Sequence, residues 1–216
     1  MSAVEREPGA HLVTARAVHP IEAESYRILR THFDTSGFLP YTRAVVERVI
    51  HASADFDYGT DLVTDEAALA RAAEALAGGA PVVADVEMVA AGITRRDALC
   101  AIKDPAAPEL AAAGGITRSA AALRIAAEKA GPGAVYVIGC APTALFELIA
   151  IAEQARPALV IGLPVGFVGA AESKAALRES GLPAVSNVSG KGGSAVAAAA
   201  LNALIYRDLV KEGNAS

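Results

Sequence analysis

The sequence has no tryptophan, only two cysteines and only 5% aromatic residues among its 216 positions. Cys100 and Cys140 are too few for a disulfide framework and too few for a thiolate metal centre. The four histidines lie apart, with neither HxxxH nor HExxH spacing, so no metal site is expected. Basic runs are missing as well. With a net charge of −5 and no basic aromatic patch, nucleic acid is not expected as a partner. Long apolar runs are missing despite a mean hydropathy of +0.37. The longest, "GAVYVIGCAPTALF" and "PALVIGLPVGFVGAA", are broken by Gly and Pro and fall short of the roughly 18–20 residues that a membrane-spanning helix needs. The opening "MSAVEREPGAHLVTA" contains no signal-peptide apolar core, and a cytoplasmic location is expected. "SGKGGS" places Lys191 before its glycine pair, the wrong order for a P-loop, and no GxGxxG opens a helix after a strand. Nucleotide, NAD and S-adenosylmethionine are therefore unsupported, and no cofactor is expected.

What is present is alternation. Residues 1–18 read as an irregular arm, 19–210 as a single domain and 211–216 as a tail. Two helices are predicted over 20–33 and 40–52, split by "DTSGFLP". "TDEAALARAAEALAGG" has Thr64 and Asp65 near its cap and a Gly pair at its end, a well-signalled helix. Next come the strand "PVVADV", a weaker strand candidate "ALCAI", and a helix capped by Thr117. "AVYVIG", "ALVIGL" and "PAVSNV" follow as strands, each leading into or between alanine-rich helices. Near-continuous apolar strands between helices predict an α/β fold: a mostly parallel sheet with helices on both faces, plus the N-terminal helical pair.

In such sheets ligands gather beyond the carboxyl ends of the strands. Asp85 and Met88 follow the first strong strand; Cys140 and Pro142 follow the next; "PVGFVG" and "SGKGGS" follow the last two. Thr117 and Arg118 open a helix, where a cation is unfavourable unless an anion is also bound. Arg118 therefore reads either as a solvated side chain or as an anion holder. In "RAVVERVIH", Val45, Val46, Val49 and Ile50 form the buried stripe at about 100° per residue. Glu47, Arg48 and His51 fall on the opposite side. His51 is thus a surface residue or the lining of a cavity, and a histidine can exchange a proton near neutrality.

Taken together, "RVIHASADFDY", "PVVADVEMVAAGITR", "GITRSAAA", "IGCAPTALFEL", "PALVIGLPVGFVGAAESK" and "GKGGSAVAAAALNAL" resemble the precorrin-8X methylmutase family over about residues 20–205. The resemblance implies a parallel α/β fold and a homodimer with sites near the subunit interface. It also implies a cofactor-free isomerase of corrin biosynthesis that moves a methyl group between adjacent ring C carbons of a tetrapyrrole. The product is hydrogenobyrinic acid, or cobyrinic acid from a cobalt-containing substrate. The family's catalytic histidine falls on His51 and its substrate-contacting serine on Ser25. Arg48, Asp85, Met88, Thr117, Arg118 and Lys191 lie in family blocks and are expected to touch substrate. Cys140 stands where the family commonly has Asn, and "HASAD" departs from "HATGD". The alternative is a carrier that binds the tetrapyrrole without converting it.

Overall fold

A computed structural model of the chain describes residues 19–212, so the arm assigned to 1–18 lies outside the described residues. The chain opens with α1 (Pro20–His32), α2 (Pro40–Ser53) and the short α3 (Tyr58–Asp61), then β1 (Leu62–Thr64) and α4 (Glu66–Ala77). The middle comprises β2 (Val82–Ala84), α5 (Glu87–Gly92), β3 (Ala98–Leu99), α6 (Ala106–Gly114), α7 (Arg118–Ala130) and β4 (Val135–Ile138). After these come α8 (Pro142–Ala150), α9 (Ala152–Ala155), β5 (Leu159–Gly162), α10 (Ala170–Glu179), β6 (Ala184–Asn187) and α11 (Ser194–Glu212). Local chemistry sets these limits. Asp65 caps α4 by accepting from the Ala67 and Ala68 N–H groups, and Thr117 caps α7 by accepting from Ala120 N–H. Pro142 sits in the first turn of α8, where its missing N–H removes no helical bond.

The six strands lie in the order β1-β6-β5-β4-β2-β3, all parallel except β1, which runs antiparallel to β6. Successive strand residues serve opposite faces. Val135, Val137, Leu159, Ile161 and Val185 pack under α2, α4 and α11, while Tyr136, Ile138 and Val160 pack under α7, α8 and α10. The order reverses between β2 and β4, because β3 lies on one side of β2 and β4 on the other.

The mostly parallel sheet with helices on both faces agrees with the sequence reading, and several elements depart from it. β1, three residues of "LVT" at an edge, is too short to show a period. The short α5 and the alanine-rich α6 carry no assignment in that reading, and the helical run that opens at Pro142 breaks at Ile151 into α8 and α9. β3 is confined to two residues at the other edge.

Glu47 also departs from the wheel. It is buried, because α1 lies across the outer side of α2. Its carboxylate accepts from Arg30 at 2.9 and 2.7 Å, from Arg43 at 3.0 Å and from the buried Thr35 hydroxyl at 2.5 Å. Burial pushes this carboxyl upward, but the three donors outweigh burial and hold it down to about 2, against an ordinary 4.5. A depressed carboxyl stabilises the fold fully above its unfolded value and loses that contribution as pH falls through the folded one. Stability should therefore drop between about pH 4.5 and 2 as α1 loosens from α2. Glu47→Gln should cost about 1–3 kcal/mol at neutral pH and flatten that acid limb. Urea midpoints at several pH values measure both effects, and an unchanged limb would show that other carboxylates set it.

Candidate active site

His51 lies in the last turn of α2, which Ala54 closes in a left-handed conformation, with its N–H returned to the Ile50 carbonyl. α1 crosses beside it. There Ser25 Oγ stands 2.8 Å from His51 Nδ1, and the Tyr26 ring stacks on the imidazole at 5.0 Å between centroids and 15° between planes. A hydroxyl can donate to a bare Nδ1 or accept from a protonated one, so Ser25 can follow the ring through a change of protonation. The Tyr26 face fixes the ring plane. That leaves Nε2 for a ligand.

The imidazole borders a cavity of about 560 Å³, open to solvent. One wall is polar, with His19, Glu22 and Arg48; the other is made of Gly92, Ala195, Ala198 and Ala199. The small wall follows from close helix contact: a Cβ on Gly92 would lie 2.8 Å from Ala198 Cβ, so α5 and α11 meet only because Gly is there. Arg48 is held by Glu22 Oε1 at 2.5 Å and donates to Tyr26 Oη at 3.2 Å. A second cavity, of about 650 Å³, lies beyond this pair and shares Glu22 and Arg48 as its wall. There Arg30 and Arg43 are turned to Glu47.

Ser25, Arg48 and His51 are therefore brought together. The other five residues do not line this cavity. Asp85 is buried and faces the β4–α8 turn, where its carboxylate accepts from the Gly139, Cys140 and Ala141 N–H groups at 3.2, 2.8 and 2.8 Å. Burial outweighs these donors and raises its carboxyl above the ordinary value. It spans the reversal point from β2 to β4 and shapes that turn. Lys191 also has protein partners. Its ammonium already binds Asp55 and Asp57 at 2.7 and 2.6 Å, bonds that raise it well above an ordinary lysine. It ties the glycine loop after β6 to the loop after His51. Met88 and Arg118 are exposed, and Thr117, besides capping α7, shares a 2.8 Å bond with Thr143. Cys140 Sγ lies 2.9 Å from Ser194 Oγ, so the thiol engages the start of α11.

Two further residues organise the strand ends. Lys174 is fully buried in "GAAESK" and donates to Asn187 Oδ1 at 2.8 Å and to the Ser189 and Lys191 carbonyls at 2.5 and 2.7 Å. Burial pushes its ammonium down to about 8. Asp61 accepts from Asn187, from Ser189 Oγ and from the Val188 and Ser189 N–H groups. Both hold the loop that Gly192 completes, at φ 151°, with the Leu163 and Pro164 carbonyls occupying the space of a side chain. Nothing in the local sequence marked either, since a Lys in an amphipathic helix ordinarily reads as solvated. Among the described residues no cluster of three His, Cys, Asp or Glu could hold a metal, and no helix is long and apolar enough to cross a membrane.

A family model for precorrin-8X methylmutase matches residues 20–207, which include every part of the cavity but His19. This chain belongs to the precorrin-8X methylmutase family. The precorrin-8X methylmutase of a Sinorhizobium species is 42% identical over 194 residues, covering 85% of this chain and 92% of that one. The cobalt-precorrin-8 methylmutase of Salmonella typhimurium is 41% identical over 198 residues, covering 86% and 93%. In structure, the precorrin-8X methylmutase of Thermus thermophilus matches with a TM-score of 0.79 at 38% identity, over 91% of this chain and 98% of that one. Membership in the precorrin-8X methylmutase family makes the chain an intramolecular methyl-shifting isomerase of cobalamin biosynthesis, and the family implies a precorrin substrate.

Proposed function

We propose that His51 is the general acid of the methyl shift and that the cavity beside it receives the edge of the macrocycle carrying ring C. The observation that carries this reading is the 2.8 Å contact of Ser25 with Nδ1, which occupies that nitrogen and leaves Nε2 for a ligand in the cavity that His51 lines. His51 donates a proton, or a hydrogen bond, from Nε2 to a nitrogen or carbon near the migrating methyl, favouring the tautomer that rearranges. An isomerisation leaves the proton count unchanged, so the proton returns to the imidazole once the methyl has moved. A hydroxyl able to reverse its direction suits such a cycle. Holding the ring in one orientation contributes alongside the proton.

The substrate is precorrin-8X or its cobalt-containing equivalent, and relatives named for each match at similar identity. Incubating the purified chain with both, followed by absorption, identifies the one converted. A saturable spectral shift without conversion of either would leave only a carrier. Arg118, exposed at the start of α7, is proposed to hold a peripheral carboxylate where the helix end also favours an anion. Arg118→Ala should then raise the dissociation constant about tenfold, the equivalent of one charge-assisted hydrogen bond. An unchanged constant would return Arg118 to plain solvation. Met88 and Thr117 are proposed as weaker substrate contacts.

We also place the working form as a homodimer whose partner covers the open side of the cavity. Exposed Val165, Phe167 and Val168 on the loop after β5 support an apolar companion at that loop, macrocycle or subunit. Light scattering tests this, and a mass near 21.9 kDa, that of one chain, would remove the partner. Cys100 and Cys140 are both free thiols, which suits a reducing cytoplasm.

A further inference from the structure

We infer that His19 is a second imidazole of the substrate cavity, donating its Nε2–H to a peripheral carboxylate of the bound tetrapyrrole; this rests on the reading of the His51 cavity as the substrate site. His19 is the N-cap of α1, in extended backbone at φ −64° and ψ 140°, and its Nδ1 accepts from the Ile21 N–H at 3.2 Å. A ring nitrogen that accepts carries no proton, so in the neutral ring the proton sits on Nε2 and that edge is a donor. The ring is exposed and lines the same cavity as His51.

Capping alone gives no reason for an imidazole. Ser, Asp and Asn are preferred at that position and satisfy the same N–H groups with a shorter side chain. What His19 adds over them is reach and a second nitrogen. The neighbouring charge on the same wall is Glu22, and Arg48 pairs with it, so an incoming carboxylate meets a compensated glutamate. The same carboxylate would also lie near the positive end of the 13-residue α1. His51 and His19 thus divide the work: one faces the reacting ring, the other anchors a side arm of the substrate.

Two substitutions separate anchoring from capping. His19→Asn and His19→Asp both supply a strong cap, so neither should lower Tm. His19→Asn removes the long donor and should raise KM about three- to tenfold at unchanged kcat. His19→Asp sets a negative charge against the substrate carboxylate and should raise KM further. Equal KM values in wild type and both variants would overturn the inference and leave His19 a cap only. The His51 reading has its own readout in the same assay: turnover surviving in His51→Asn would refute the acid, whereas an inactive His51→Asn beside unaltered His19 variants would refute the anchor alone.

Discussion

His51→Asn should bind the tetrapyrrole with little change and turn it over about 10²–10⁴-fold more slowly, the usual contribution of a positioned general acid. Asparagine is the informative replacement because its amide can reach the position of Nδ1, keeping the Ser25 contact and the packing against Tyr26. Only the outer nitrogen and its proton are lost. Single-turnover absorption separates the two steps: the binding shift should persist while the conversion stalls. Ser25→Ala should lie between, with a loss of about tenfold, since the ring remains but its orientation is no longer fixed at Nδ1. Conversion by His51→Asn near the wild-type rate would mean that binding geometry alone drives the shift.

Asp85→Asn should be the most damaging single change to stability among the residues discussed, lowering Tm by about 10 °C. The carboxylate takes three backbone N–H groups at the start of α8, two of them at 2.8 Å on one oxygen. An amide keeps one acceptor and points its NH₂ at the remaining donors. Each charge-assisted bond is worth about 1.5–3 kcal/mol, but relief from burying the charge offsets part of that loss, leaving about 3 kcal/mol. For a chain of this size that corresponds to about 6–12 °C. Calorimetry measures the drop. A shift under 2 °C would mean that the turn holds without its carboxylate, and Asp85 would again need another role.

Much of the architecture was legible because three of the four central strands are apolar on both faces and helices separate them. The Val-rich runs of β2, β4 and β5 admit few other readings. β1 was not legible: three residues at an edge carry no period, and its pairing with β6 joins Val63 to Ser186 across most of the chain. The histidine was legible only in part. Its helical phase excluded the core, yet the cavity needs α1, α5 and α11 together, a tertiary fact. Glu47 shared that phase and is buried, since a helical wheel cannot show that a second helix lies over the polar side. The tasks of Asp85 and Lys191 depend on partners 54 and 136 residues away. Family blocks mark such residues as kept without saying whether they face substrate or scaffold.

The sheet's two borders carry one more consequence. One ends in a three-residue strand set against the direction of its neighbours, the other in a strand of two residues. Neither offers the length of open backbone on which another chain could extend the sheet. Copies of this molecule should therefore associate through helices and loops, and ribbon-like polymerisation by edge addition is closed to it while it stays folded.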